Sequence, residues 1–225
     1  LPLGVIASRN KNKWPDKLVV STTLIGYSMP IYWWGMLLVL LFSLSIGITP
    51  VAGRIGFEYD ILPVTGFMLI DTLISEQPFA IDAFYSALYH LILPTIVLGT
   101  VPLAILTRVT RSAMIEALSS DYIRTAKAKG LPYRKIIWVH ALRNALIPIV
   151  TTLGLQINIL ITGTLIAETI FSWPGIGKWL LEAVYRRDLI TIHGGLLAIA
   201  TIIILTNSGI EVLNHFVNPK LKIKK

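Results

Sequence analysis

The chain has 225 residues, 54% of them hydrophobic, and a mean hydropathy of +0.71. It contains no cysteine, which excludes disulfides, zinc–thiolate sites and thiol catalysis. Its formal charge is +8, from 20 basic and 12 acidic residues, and the grouping of those charges decides what the excess means.

No Asp, Glu, Lys or Arg occurs in 18–53, 83–107, 144–167 or 189–210. A helix that crosses a membrane needs about 20 consecutive, mainly apolar residues. Four windows of that kind do not belong to a water-soluble fold. The predicted class is all-α, a polytopic transmembrane helical bundle with about four spans in one domain, 1–225.

In chain order, 1–7 is apolar and is followed at once by Arg9, Lys11 and Lys13. It is too short to span, and its basic residues come after the apolar stretch, the reverse of a signal peptide. We read it as the tail of an earlier helix, so an N-terminal truncation is expected. The first span lies within 21–46, kinked at Pro30 where neighbouring groups satisfy the freed carbonyl. Trp33 and Trp34 sit mid-window and are expected to pack. The loop 47–82 is long and acidic, and its apolar piece 67–70 suits a short surface helix. The second span falls within 86–107, the third within 145–167 and the fourth within 189–213.

The segments between these spans alternate in charge. Four Lys/Arg lie in 1–17, one in 46–85 against five acids, eight in 108–143, three balanced by three acids in 168–188, and four in the tail 214–225. The positive-inside bias then places the first, third and fifth segments, and with them the C-terminus, in the cytoplasm. The basic excess is explained by topology, and nucleic acid is not expected as a partner.

Segment 108–143 is too long for a simple connection. Asp121 is expected to N-cap a helix over 122–129, and Gly130 suits its C-terminal stop. Pro132 suits the first turn of a second short helix, where its missing N–H costs nothing. That helix carries Ile136, Ile137, Val139 and Leu142 among Arg134, Lys135 and Arg143. A compact basic elbow between two spans can receive force from a soluble partner. A basic loop that only fixes topology is the alternative.

The third span is the most polar. Thr151, Gly154, Asn158 and Thr162 fall on one face at 100° per residue, and Thr152, Gln156 and Gly163 on an adjoining one. Polar groups are costly against lipid, so this arc faces protein or a water path. Thr151, Thr152, Gln156, Asn158 and Thr162 are the candidates for lining such a path, with interhelical hydrogen bonding the plainer role. In the outer segment 168–188, Trp173, Pro174 and Gly175 force a turn. The stretch after it, with Ile176, Gly177, Trp179 and Leu180, is able to re-enter the bundle as an outer gate or to lie on the membrane.

No G-x-x-x-x-G-K-[ST] loop occurs; the nearest string, 175–179, lacks the first glycine and the hydroxyl residue. His90, His140, His193 and His215 are isolated, and no metal site or cofactor is expected. The span interiors hold no Asp, Glu, Lys or Arg, so neither intramembrane catalysis nor a proton relay is expected. The chain is read as non-catalytic.

Two strings carry a specific resemblance. "DYIRTAKAKGLPYRKIIWVHALRNALIPIV" resembles the cytoplasmic loop of the dipeptide/oligopeptide/nickel permease family of ABC importers. "FSWPGIGKWLLEAVYRRDL" resembles that family's outer loop, and "LPLGVIASRNKNKWPDK" and "ITPVAG" resemble further family segments in order. The wider importer class carries Glu-Ala-Ala…Gly…Ile-x-Leu-Pro in this loop. Aligned on Gly130, only Ala126 and Leu142 match, a departure typical of the peptide branch.

The resemblance implies a permease moving peptides or a similar small solute, such as nickel or an oligosaccharide, across the inner (plasma) membrane. It implies that 119–143 is the coupling loop that docks on a separate ATPase. Its residues Asp121, Tyr122, Arg124, Thr125, Ala126, Lys127, Ala128, Lys129, Gly130 and Leu131 are the contact candidates. ATP is then used by the partner ATPase and not bound by this chain. The further partners implied are a second homologous permease, an extracytoplasmic solute-binding protein and the lipid membrane. Family members usually have six spans, and these would be the last four. An ion-coupled carrier working alone is the alternative, and a membrane enzyme or assembly factor a third reading.

Overall fold

The computed structural model describes residues 1–217, with the side chains of Thr162, His215, Phe216 and Val217 outside that description. The four tail lysines, Lys220, Lys222, Lys224 and Lys225, lie outside the described residues. The described residues form helices and connecting turns, with no strand among them. Helices α1 (Pro2–Arg9), α2 (Trp14–Ser28) and α3 (Ile31–Leu38) come first, and α3 continues into a π-helical turn, Val39–Ser45. A long loop leads to α4 (Met68–Ile74) and α5 (Ala80–Ser119). Next come α6 (Asp121–Ala128), the single turn α7 (Tyr133–Lys135) and a second π-helical turn, Ile136–Ala141. The last helices are α8 (Leu142–Ile170), α9 (Ile176–Tyr185) and α10 (Leu189–Val217).

Among the described residues, three stretches, Ala80–Ser119, Tyr133–Ile161 and Leu189–Asn214, are long and apolar enough to cross a membrane. The pair Trp14–Ser28 and Ile31–Ser45 makes a fourth if it counts as one broken span. The first predicted span is thus not one kinked helix. The chain breaks at Met29–Pro30, because Pro30 is in extended geometry as the N-cap of α3 and cannot donate to the preceding turn.

Helix α5 also departs from expectation. Its 40 residues make about 60 Å of helix at 1.5 Å per residue, longer than a bilayer of about 40–45 Å with its headgroups. Residues 108–119, read from sequence as the start of a loop, are its last turns. Ala113, Met114 and Ala117 recur at helical spacing there and are buried, while Arg108, Ser112 and Glu116 are exposed.

The contacts group the chain into two compact units: 1–28, 100–161 and 197 onward in one, 29–99 and 162–196 in the other. The core of the first is Val5, Ala113, Met114, Ala117, Ile123, Ala126, Ile136, Ile137, Ala141, Ala145 and Ile149, with Val109, Leu118, Leu131 and Leu142 packed on it. Here Asp16 accepts from the Arg111 guanidinium on both carboxylate oxygens, Nη2 to Oδ2 at 2.7 Å, and from the Asn12 N–H. This pair fixes the start of α2 against α5. In the second unit Leu38, Leu93, Val97 and Phe171 form a smaller core under Trp34, Phe42 and Ile170.

In the long loop Asp71 is buried and ties its own segment. Its Oδ1 accepts from the Thr65 N–H and hydroxyl, both at 2.7 Å, and its Oδ2 from the Gly66 N–H at 3.0 Å. These donors, the Thr65 hydroxyl first, hold the carboxyl below the usual carboxylate range.

Candidate functional site

The basic elbow is built on α6. Of its eight residues only Ile123 and Ala126 face inward, three apart, into the core of the first unit. Burying an isoleucine contributes about 1.5–3 kcal/mol, so this single side chain does much to seat the helix. Asp121, Tyr122, Arg124, Thr125, Lys127, Ala128, Lys129 and Gly130 are exposed, and Leu131 is half-buried. The expected docking face is therefore one continuous surface.

The N-cap is Ser120, not Asp121, which lies in the first turn. The Ser120 hydroxyl donates back to the Ala117 carbonyl and leaves the cap to its extended backbone. Asp121 helps only as an acidic group near a helix N-terminus and sits 3.6 Å from Arg124. Both are strongly exposed, so the pair contributes about 0–1 kcal/mol.

The C-terminus of α6 is a Schellman motif. The Gly130 N–H donates to the Lys127 carbonyl at 2.9 Å and the Leu131 N–H to the Ala126 carbonyl at 3.3 Å. Gly130 takes φ +73°, as its role as a stop requires. Leu131 packs on the same core as Ala126, the apolar contact that accompanies this motif. Pro132 follows as the N-cap of α7.

The second piece of the elbow is not a separate short helix. It runs through the π-helical turn Ile136–Ala141 directly into α8. Ile136 and Ile137 point into the core, while Trp138 and Val139 are half-exposed. From the other side Arg9 lies over the Tyr133 ring at 5.7 Å. The elbow is thus joined to a membrane helix at one end and braced by α1.

The polar arc of α8 is drawn partly to α10. Asn158 Nδ2 donates to Asn207 Oδ1 at 2.6 Å, and the Thr151 hydroxyl donates to Asn214 Oδ1 at 3.3 Å. The Thr152 hydroxyl turns back to the Pro148 carbonyl. Gln156 is buried, and its Oε1 has no hydrogen-bond partner among the described residues. The side chain of Thr162 lies outside the described residues.

The outer turn belongs to the second unit. Helix α8 ends in another Schellman motif, from Ser172 N–H to Thr169 O and Trp173 N–H to Glu168 O, with Ser172 at φ +49°. Gly175 is the N-cap of α9, and Glu168 Oε2 accepts the Lys178 N–H at 2.8 Å. A carboxylate from the end of α8 thus caps α9, where the helix dipole favours negative charge. A Cβ on Gly177 would lie 2.6 Å from the Leu165 Cα, and one on Gly175 2.2 Å from the Glu168 carboxyl. In α9 Gly177, Leu180 and Ala183 are buried, while Ile176 and Trp179 are half-exposed. Trp173 lines a cavity of about 250 Å³ with Phe171, Glu168 and Pro94; Pro174 is exposed.

Sequence reasoning missed the Asp16–Arg111 pair, the Glu168 cap and the Arg9–Tyr133 brace. Each joins residues on different helices, and no local pattern marks them. The spacing from Glu168 to the Pro174-Gly175 turn was the one available hint.

Comparison with known proteins supports one family. Residues 1–223 match the model of the binding-protein-dependent transport system inner membrane component. The chain belongs to that family. It is 53% identical over 219 residues to the di/tripeptide transport system permease protein DppB of Pseudomonas aeruginosa, covering 97% of this chain and 64% of that protein. It is 50% identical over 228 residues to the dipeptide transport system permease protein DppB of Escherichia coli K12, covering 100% and 66%. The peptide transport system permease protein SapB of Salmonella typhimurium is 37% identical over 219 residues, covering 97% and 68%. The chain thus spans just under two thirds of the length of the first two relatives. Family and apolar helices together make this a multi-pass membrane protein.

Proposed function

We propose that this chain is a permease subunit of an ATP-driven importer for di- and tripeptides, working with a second permease, a separate ATPase and an extracytoplasmic binding protein. The family match over residues 1–223 carries the reading. Relatives named for di- and tripeptides reach 50–53% identity, against 37% for the more broadly named one, which favours short peptides over nickel or oligosaccharides. A binding-protein-dependent family also favours ATP drive over an ion-coupled carrier.

In this reading α6 and its elbow dock on the ATPase from the cytoplasm. Closure of that partner displaces α6, and the continuous run from α7 through α8 carries the displacement into the membrane. The path runs along the polar arc of α8, where Gln156 Oε1 has an acceptor to offer. Helix α9, with Trp179, closes it on the outer side, and the C-terminus is cytoplasmic.

The test is uptake of a labelled dipeptide into proteoliposomes holding the chain with its co-encoded subunits. Uptake that needs ATP on the α6 side and binding protein on the other supports the reading. Uptake driven by an ion gradient without ATP contradicts it, as does peptide cleavage without uptake.

A further inference from the structure

We propose that the groove between α2 and α5 holds one anionic phospholipid, its phosphate on Arg108 and an acyl chain running on past Leu24 and Tyr27. The groove is a cavity of about 210 Å³ lined by Val19, Val20, Thr23, Leu24, Thr107, Arg108 and Arg111. Its two cations differ. Arg111 is neutralised by Asp16 through two hydrogen bonds. Arg108 is exposed and pairs with no carboxylate among the described residues; its guanidinium lies over the Tyr27 ring at 5.3 Å.

Depth points to lipid. Arg108 is the first charged residue after the charge-free stretch 83–107, about 37 Å of helix at 1.5 Å per residue. That exceeds the hydrocarbon thickness of about 30 Å, so Arg108 stands at headgroup level. Its side chain does not reach away from the membrane. It runs along α2 to Tyr27, which lies beyond Leu24 from the Asp16 end. A guanidinium held there on an aromatic face wants an anion, and it meets phosphate oxygens in a two-pronged fork.

The neighbouring surface fits the same ligand. Leu24 and Tyr27 are half-exposed and continue the groove as an apolar strip. Lys11, Lys13 and Lys17 are exposed around the start of α2 and favour a net-negative headgroup, and Trp14, 74% exposed, suits the interface. The site does not depend on the cargo or on the coupling reading.

The test uses protein extracted from its own membranes with the subunits that accompany it. It is stripped of loose lipid and titrated with dioleoylphosphatidylglycerol, dioleoylphosphatidylethanolamine or inorganic phosphate, and bound lipid is counted by native mass spectrometry. One phosphatidylglycerol is expected in preference to phosphatidylethanolamine, and inorganic phosphate should not displace it. Arg108→Gln should lower that retention about tenfold, the size of one charge-assisted contact, while Arg143→Gln, outside the groove, should not. Should Arg108→Gln fail to elute as a folded protein, Leu24→Trp decides, because it fills the groove and leaves the charge. The proposal is overturned by equal retention of the two lipids or by displacement with inorganic phosphate, which marks a free-anion site. It is overturned equally by a wild type that takes up no lipid, as when a partner's carboxylate covers Arg108, or by retention in the deciding variant.

Discussion

The elbow after α6 and the turn after α8 both end a helix with a Schellman motif, yet they use glycine for opposite reasons. Gly130 has nothing within 4 Å of a notional Cβ and is needed for its φ of +73°. At the outer turn the left-handed position is Ser172, while Gly177 is needed for room against the Leu165 backbone. Helix α9 closes with Arg187 in the same left-handed conformation, from Arg187 N–H to Val184 O and Asp188 N–H to Ala183 O. The elbow after α6 is therefore shaped by backbone conformation in open space, and the turn after α8 by close packing and a part-buried cap. Open space around a fixed angle suits a docking element, whereas tight packing suits a seal.

Gly177→Ala should have the largest effect. Its methyl meets backbone that cannot rotate away, so the contact is overpacked by about 1–3 kcal/mol. A drop in the thermal midpoint of the detergent-solubilised protein checks this. Gly175→Ala should cost less, because the Glu168 carboxyl it meets is the end of a flexible side chain. Equal costs would break the distinction between backbone and side-chain crowding.

Gly130→Ala should cost about 1 kcal/mol, from the left-handed backbone alone. Its midpoint should shift less than that of Gly177→Ala, and a larger shift would show that Gly130 is packed after all. Ser172→Gly and Arg187→Gly should move the other way, since they relieve left-handed strain; the gain is up to about 1 kcal/mol, less the entropy glycine brings to the unfolded chain. A fall in midpoint in both variants would show that their side chains, not their backbone, hold those turns.

Asp71 gives the smallest, most local effect. Its folded pKa is depressed, so its contribution is complete above the ordinary carboxylate value of 3.8 and is lost as pH falls through the lower folded value. Protease cleavage around Thr65–Gly66 should rise only in that acid range. Asp71→Asn should be cleaved readily at neutral pH as well. An unchanged cleavage rate in the variant would remove Asp71 as the tie.

Much of this was legible in the sequence for physical reasons. Charge-free windows report the membrane directly, and Gly130 followed by Pro132 marked a helix stop because few other residues do both jobs. Ser172 and Arg187 were not legible, since nothing in a serine or arginine announces a left-handed backbone; the surrounding helix ends impose it. The continuation of α5 to Ser119 was hidden because Arg108 and Arg111 look like loop charges until a partner is known. Arg111 finds Asp16 across 95 residues, a pairing no local window contains. Asp71, one of the five acids of the 46–85 segment, is spent inside its own loop, whereas Glu76 is exposed.

In the proposed function, the angle fixed at Gly130 presents α6 to the ATPase. Membranes carrying Gly130→Val should be solubilised and the ATPase recovered with the permease. Normal insertion of the variant is expected, with ATPase recovery and dipeptide uptake both near background, while Arg124→Ala and Lys127→Ala keep most of each because exposed charges contribute little singly. Normal recovery of the ATPase together with normal uptake in Gly130→Val would contradict it.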